Sequence, residues 1–164
     1  MNAEGRLQEI LGELGLEMPP AASPKGVYRP ALRVGDLLYT AGHLPVRSDG
    51  SLVVGRLGEQ LDVAAGYAAA QLAALGILAT VRRELGTLDR VRQVVKLLGA
   101  VNSTPQFDQQ PAVINGCSEL LVSVFGSEAG RGVRSALGAP CLPLGVAVEI
   151  EAVFEVVCPP LTEG

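Results

Sequence analysis

The stretch VAVEIEAVFEVV, residues 146–157, decides the fold of this chain. Apolar and polar side chains alternate along it with a period of two, which is the pattern of a β-strand with one buried face. The glutamates Glu149, Glu151 and Glu155 fall on the polar face, so we predict a sheet covered on one side and half-polar on the other. The predicted buried face consists of Val146, Val148, Ile150, Ala152, Phe154 and Val156.

The segments before this strand predict the rest of the sheet and the layer that covers it. Working backwards, we predict a strand at Val133–Ala139, a helix at 108–125, a strand at 90–101, a helix at 59–85, and strands at 37–44 and Ala31–Val34. The Gly35-Asp36 pair suits a type II′ turn between the first two strands. The order ββαβαββ predicts an α/β fold, a two-layer α+β sandwich in which two long helices cover one face of a mixed sheet.

An extra helix precedes this unit. Leu7, Ile10, Leu11 and Leu14 recur at helical spacing, and Gly15 and the prolines of residues 19–24 end the helix. We therefore divide the chain into an N-terminal helix and loop appendage (residues 1–23), one α/β domain (residues 24–158) and a C-terminal tail (residues 159–164). A chain of 164 residues is long enough for one such domain with a substantial core.

The charge of the chain argues against nucleic acid as its partner. It has 13 basic and 17 acidic residues, a net charge of −4, and its arginines are scattered along the sequence. A nucleic-acid binder normally needs a basic face that neutralises phosphates.

The cysteines and the N-terminus indicate a cytoplasmic protein. Cys117, Cys141 and Cys158 are an odd number without CxxC spacing, so we expect free thiols in a reducing compartment. Residues 1–14 lack an apolar signal core, and we find no run of about 20 apolar residues that would span a bilayer. With one histidine and no Walker A or Rossmann glycine loop, we expect a soluble protein without metal, cofactor or membrane partner.

Arg134 is the first candidate for ligand binding. Alternation in its strand places it on one face with the small residues Ala136 and Gly138. Open space around a guanidinium lets it hold a planar carboxylate through paired hydrogen bonds. The pattern leaves a second interpretation open, that of a solvated arginine on an exposed strand.

Glu149 is the matching candidate for an acid/base group. A carboxylate in an otherwise apolar strand either faces solvent or is polarised in a cleft, and Glu151 on the same face is near enough to raise its pKa. His43 is a candidate for binding or proton transfer, with a packing or surface role as the alternative. We predict that Arg134 and Glu149 open into one shared hollow.

These residues resemble the Rid family, also called YjgF/YER057c/UK114. The resemblance extends over residues 24–157. It is carried by Tyr28, Ala41-Gly42, Leu44-Pro45-Val46, Ala112-Val113-Ile114-Asn115, Arg134-Ser135 and Val148-Glu149-Ile150-Glu151-Ala152-Val153, in that order.

The resemblance implies a chorismate-mutase-like fold assembled as a homotrimer with ligand sites in clefts between subunits. It implies hydrolysis of reactive 2-imino acids, or their enamine tautomers, to 2-keto acids and ammonia, so the partner is a small carboxylate-bearing metabolite. Carried over residue by residue, Arg134 grips the carboxylate, Glu149 positions the attacking water, and Tyr28 and Asn115 line the pocket. The chain departs from the family pattern at two substrate-binding positions: His43 replaces the usual glutamine, and Ala136 replaces a common cysteine.

Two further functions stay open. One is a non-catalytic carboxylate-binding or regulatory protein that uses the same cleft, and the other is an endoribonuclease, a label that many relatives carry. An imine carbon is already electrophilic, so water needs orientation and only modest activation, and deamination ranks first. The acidic charge and the lack of a catalytic histidine pair rank the ribonuclease last.

Overall fold

Five strands form one mixed sheet in the computed structural model, which describes residues 1–157. The order of the strands across the sheet is β1-β2-β5-β3-β4, and every neighbouring pair is antiparallel except β3 and β4, which are parallel. The strands are β1 Ala31–Val34, β2 Leu37–Thr40, β3 Val91–Asn102, β4 Val133–Ala139 and β5 Val148–Val156.

Two long helices pack on one face of this sheet, as the order ββαβαββ predicted. They are α2, Val63–Leu85, and α3, Gln110–Phe125, and both follow α1, Ala3–Leu14. The two helices approach each other closely at Gly116 of α3, where a Cβ would overlap the backbone carbonyl of Tyr67 in α2. Two short 3-10 turns, Leu88–Arg90 and Pro143–Gly145, precede β3 and β5.

The central strand β5 has the two faces that its sequence predicts. Every residue of the predicted apolar face is buried, and Phe154 also meets the ring of Phe125 edge-on with the centroids 6.2 Å apart. Each large side chain removed from water in this way contributes about 1.5–3 kcal/mol. The glutamates lie on the face that no helix of the described chain covers.

Two predicted boundaries are wrong by several residues. The second helix starts at Val63 instead of residue 59, because Asp62 is its N-cap and accepts a hydrogen bond from the backbone N–H of Ala65 at 2.8 Å. The second strand ends at Thr40 instead of residue 44, and His43 pairs with Ile150 beyond the break as an isolated bridge.

The helix α2 meets the length and composition of a membrane span, which we did not expect from the sequence. It has 23 residues, with a mean hydropathy of 1.6 in its most apolar window, and 56% of that window is buried inside the domain. The core helix of a globular domain passes the same test, and α2 packs against both the sheet and α3. Its hydropathy is therefore explained by its place in the core.

The N-terminal helix α1 docks on the ends of α2 and α3. Leu7 on its inner face is fully buried. The Glu4 carboxylate accepts two hydrogen bonds from the Arg82 guanidinium, at 3.1 and 2.6 Å, and one from the backbone N–H of Leu88 at 2.9 Å. Arg6 Nε donates to the Val124 carbonyl at 2.6 Å. The predicted tail, residues 159–164, and Cys158 lie outside the described residues.

Candidate active site

The guanidinium of Arg134 lies on the helix-covered side of the sheet. On β4, Arg134 lies beside Leu97 of β3, which lies beside Ala152 of β5, and both neighbours are buried under the helices. Arg134 Nη1 donates to Ser118 Oγ at 3.0 Å and Nη2 donates to the Pro111 carbonyl at 3.3 Å. These bonds to α3 use two of the five N–H donors of a guanidinium, so its orientation is set while three donors stay available.

Arg134 lines a cavity of about 470 Å³ between β4 and α3. The Asn115 side chain lines the same cavity, so the structure brings together two of the residues predicted for ligand binding. Ser118 and Glu119 of α3, one turn after Asn115, also line the cavity with polar groups. A cavity of this volume is in the usual range for small-molecule sites.

Glu149 lies on the opposite side of the sheet, on the uncovered face. It pairs with Ala100 of β3, whose other neighbour is the exposed Leu137 of β4. Its carboxylate packs directly on the backbone of Gly42, because a Cβ at that position would overlap it. Burial, and to a smaller extent the charge of Glu151, raise the pKa of Glu149 above its usual value.

The prediction of a shared hollow is therefore wrong within one protomer. The register places Arg134 with Leu97 and Glu149 with Ala100, and residues three apart on a regular strand point to opposite faces. The two groups can act on the same ligand only if the Arg134 of one copy and the Glu149 of a second copy lie at one site.

His43 is a core residue, which corrects its predicted place in the substrate site. It is 4% exposed, on the side of the sheet that faces α2. Its Nδ1 donates to the Ala41 carbonyl and its Nε2 accepts from the Thr80 hydroxyl, both at 2.8 Å, because a carbonyl can only accept. Burial lowers the pKa of His43, so the ring is neutral and both nitrogens are occupied.

The other predicted positions lie apart from these groups or play a packing role. Tyr28 is 54% exposed in the segment before β1 and lines neither of the cavities in residues 1–157 that we describe. Ala136 shares the face of Arg134 and is half-buried against the core beside Gly99. Cys117 is near Arg134, but burial raises its pKa to about 12, so it stays a thiol at neutral pH and is no nucleophile.

Sequence reasoning missed four polar residues of the Arg134 cavity: Ser118, Glu119, Ser123 and Arg131. The helical spacing of Ser118 and Glu119 from Asn115 was a usable signal, because residues three and four apart share one helix face. A second cavity of about 270 Å³ lies at the C-terminal ends of β3 and β4 and is lined by Arg56, Gln110 and Gly138, among others. It contains none of the predicted site residues.

A comparison with known protein families matches residues 8–155 to the family described as "YjgF/chorismate_mutase-like, putative endoribonuclease". The chain belongs to this YjgF family. The resemblance to the Rid (YjgF) family and the chorismate-mutase-like fold, both expected from the sequence, are confirmed. The YjgF match begins inside α1 and ends in β5, so it spans both Arg134 and Glu149.

Several known proteins are similar to this chain over nearly its whole length. Protein TCP17 of Trypanosoma cruzi is 44% identical over 153 residues, which make up 93% of this chain and 96% of that protein. The crystal structure of Atu1372, a protein with unknown function from Agrobacterium tumefaciens, is 42% identical with a TM-score of 0.84 over 94% of each chain. That of a "putative endoribonuclease" from Shewanella oneidensis MR-1 is 34% identical with a TM-score of 0.87, over 95% of this chain and 100% of that one.

Proposed function

We propose that this protein hydrolyses reactive 2-imino acids, or their enamine tautomers, to 2-keto acids and ammonia. Arg134 holds the substrate carboxylate and Glu149 positions the attacking water. The observation that carries the proposal is the oriented guanidinium of Arg134, which lines a cavity with Asn115 and keeps donors for a carboxylate. A bidentate bond to a carboxylate fixes the adjacent imine carbon in space.

The chemistry needs little beyond this positioning. Water adds to the imine carbon, and a C–O bond forms as the proton of the water passes to the Glu149 carboxylate. As the C–O bond forms, the C=N π pair moves to the nitrogen, which takes the proton back from Glu149 and gives a carbinolamine. The hydroxyl proton of the carbinolamine then passes to the nitrogen by way of the Glu149 carboxylate, the C–N bond breaks, and ammonia leaves as the carbonyl forms. The raised pKa of Glu149 makes it a stronger base than an ordinary carboxylate.

The opposite positions of the two groups require a site made from two copies, and we propose a homotrimer with the sites between its subunits. β4, which carries Arg134, is an edge strand. The uncovered face, which carries Glu149, also exposes large apolar side chains that a second copy would bury. They are Leu32, Val34, Tyr39, Val133 and Leu137, which the strand pairing places on the face of Glu149.

Co-expression of two inactive variants tests this arrangement. Arg134→Ala and Glu149→Gln each remove one half of every site, so each should accelerate ammonia release from a freshly generated imino acid at least about a hundredfold less than wild type. In a mixed assembly, an Arg134 from one variant meets a Glu149 from the other. Random mixing should therefore restore about one quarter of the sites, since each interface of a closed ring joins two different patches.

The control is a chain that carries both substitutions, Arg134→Ala and Glu149→Gln, because its assemblies contain no intact site. Activity restored in the mixture but absent in this control supports a site between subunits. If mass spectrometry shows that the assemblies contain both variants but activity is not restored, the site between two copies is contradicted. A wild-type protein that accelerates no imine hydrolysis contradicts the proposed reaction itself.

Two other functions are tested by the same preparations. A carboxylate-binding or regulatory protein would be stabilised by 2-keto acids, by about 2.7 kcal/mol at a hundredfold excess over Kd, without turnover. An endoribonuclease function is favoured by the words "putative endoribonuclease" in the descriptions of the family and of the Shewanella oneidensis protein. It requires RNA binding that weakens steeply with salt, and a gel-shift assay at low salt without binding would exclude it.

A further inference from the structure

Arg131 is a second cation at the Arg134 cavity. Its side chain is exposed, lines the cavity together with Arg134, and makes no hydrogen bond or ion pair within residues 1–157. The proposed reaction gives it no role, because one guanidinium suffices for one carboxylate.

The backbone on both sides of Arg131 is held in place. A Cβ at Gly130 would lie 2.5 Å from the Leu121 carbonyl of α3, and one at Gly132 would lie 2.7 Å from the Val94 carbonyl of β3. Both glycines therefore allow a close approach that another residue would prevent. The backbone of Arg131 is therefore held in a fixed position beside the cavity.

The charges that line the cavity favour a ligand with two acidic groups. Arg131 and Arg134 are its cations, and Glu119 is its anion. The Glu119 carboxylate accepts a hydrogen bond from Tyr67 at 2.6 Å, which orients it. Two carboxylates and one protonated imine nitrogen on the ligand would match these three groups in number and sign.

We infer that the cavity selects dicarboxylic 2-imino acids, with Arg134 on the carboxylate beside the imine and Arg131 on the carboxylate of the side chain. The inference rests on the proposed role of Arg134. The two arginines are three residues apart, so their Cα atoms are at most about 11 Å apart. Both flexible side chains can reach one small ligand from that separation.

The test compares two stable 2-keto acids of equal chain length by titration calorimetry on the full chain. They are 2-oxoglutarate, which has a distal carboxylate, and 2-oxopentanoate, which has none. Wild type should bind 2-oxoglutarate about tenfold more tightly, and Arg131→Gln should abolish this preference without weakening 2-oxopentanoate. Arg47→Gln is the matched control, because Arg47 bonds only to its own turn and does not line the cavity.

The outcomes separate this inference from the proposed function. Equal affinity for both acids, with loss of both in Arg134→Ala, overturns the selectivity for dicarboxylates and leaves the role of Arg134 intact. A preference that persists in Arg131→Gln also overturns it. Binding of neither acid by wild type contradicts the role of Arg134 and removes the basis of the inference.

Discussion

The two faces of the sheet present groups of opposite charge from different strands, Arg134 from β4 and Glu149 from β5. On the covered face, Arg134 is oriented by Ser118 and Pro111, so α3 supplies the rigid support of the guanidinium. On the uncovered face, Glu149 rests on the bare backbone of Gly42 and is perturbed by Glu151. The covered face holds an oriented cation beside a cavity, whereas the uncovered face presents a carboxylate whose pKa is raised.

The largest expected effect tests the covered face. Arg134→Ala should lower kcat/KM at least about a hundredfold, because a charge-assisted bidentate bond is lost. Arg134→Lys keeps the charge but not the planar fork, so it should recover only a small part of the activity. Steady-state ammonia release measures both. An Arg134→Lys protein with wild-type kcat/KM would show that charge alone matters and that the support by α3 does not.

The next effect is on stability and tests whether His43 belongs to the core. Thr80→Val preserves shape but removes the hydroxyl that bonds His43 Nε2, which leaves a buried acceptor unpaired. We expect a loss of about 2 kcal/mol in the free energy of unfolding, measured in urea, with kcat/KM unchanged. A variant of wild-type stability with reduced activity would return His43 to the active site.

Gly42→Ala tests the support of Glu149 on the uncovered face. The added methyl group would displace the Glu149 carboxylate, a flexible group, so activity should fall about tenfold with little change in folding. Gly12→Ala in α1 is the matched control, since nothing lies within 4 Å of its added Cβ and activity should not change. Equal kcat/KM values for the two variants would mean that the position of Glu149 is unimportant.

The lowered pKa of His43 predicts a smaller, pH-dependent effect. Since the unfolded chain then binds a proton more readily than the folded one, stability should fall as the pH drops below about 6.5 toward the folded pKa. Urea unfolding at several pH values should show this loss in wild type and less of it in His43→Gln. The same slope in both proteins would assign the effect to other groups.

The smallest expected effect concerns the two causes of the raised Glu149 pKa. If Glu149 acts as a base, activity should fall as the pH drops through this raised value, and Glu151→Gln should move the fall to lower pH. Glu151→Gln should remove only part of the rise in the pKa of Glu149, because burial is its larger cause. An acid limb that does not move in Glu151→Gln contradicts this coupling.

The sequence predicted the faces of single strands well and the relations between strands poorly. Alternation in β5 gave its buried side chains correctly, and α1 begins and ends where its pattern indicates. The shared hollow failed because alternation says nothing about register: Arg134 falls beside Leu97 only through the parallel pairing of β3 with β4. That pairing depends on contacts between distant segments, which no local pattern encodes.

The helix α2 shows a second limit of sequence patterns. Apolar residues recur at alternating steps of four and three along the segment predicted for α2, a spacing that indicates one helix face; they are Leu61, Ala65, Ala68, Leu72, Leu75 and Ala79. Ala68 of this set is nevertheless exposed, whereas Ala69 and Ala70 outside it are buried. A helix so rich in alanine is apolar almost all round, so its periodicity does not fix its rotation. His43 was misjudged for a related reason, since its core partner Thr80 is 37 residues away.

The contacts of α1 set an order of events during synthesis. Its Arg6 bonds to Val124 and its Glu4 to Arg82 and Leu88, so this helix finds its last partner only after more than a hundred further residues have emerged from the ribosome. Until then Leu7 has no core to enter and its apolar stripe stays open to other chains. A nascent chain that stalls before α3 is complete should therefore be cleaved by an added protease within α1 more readily than the finished protein.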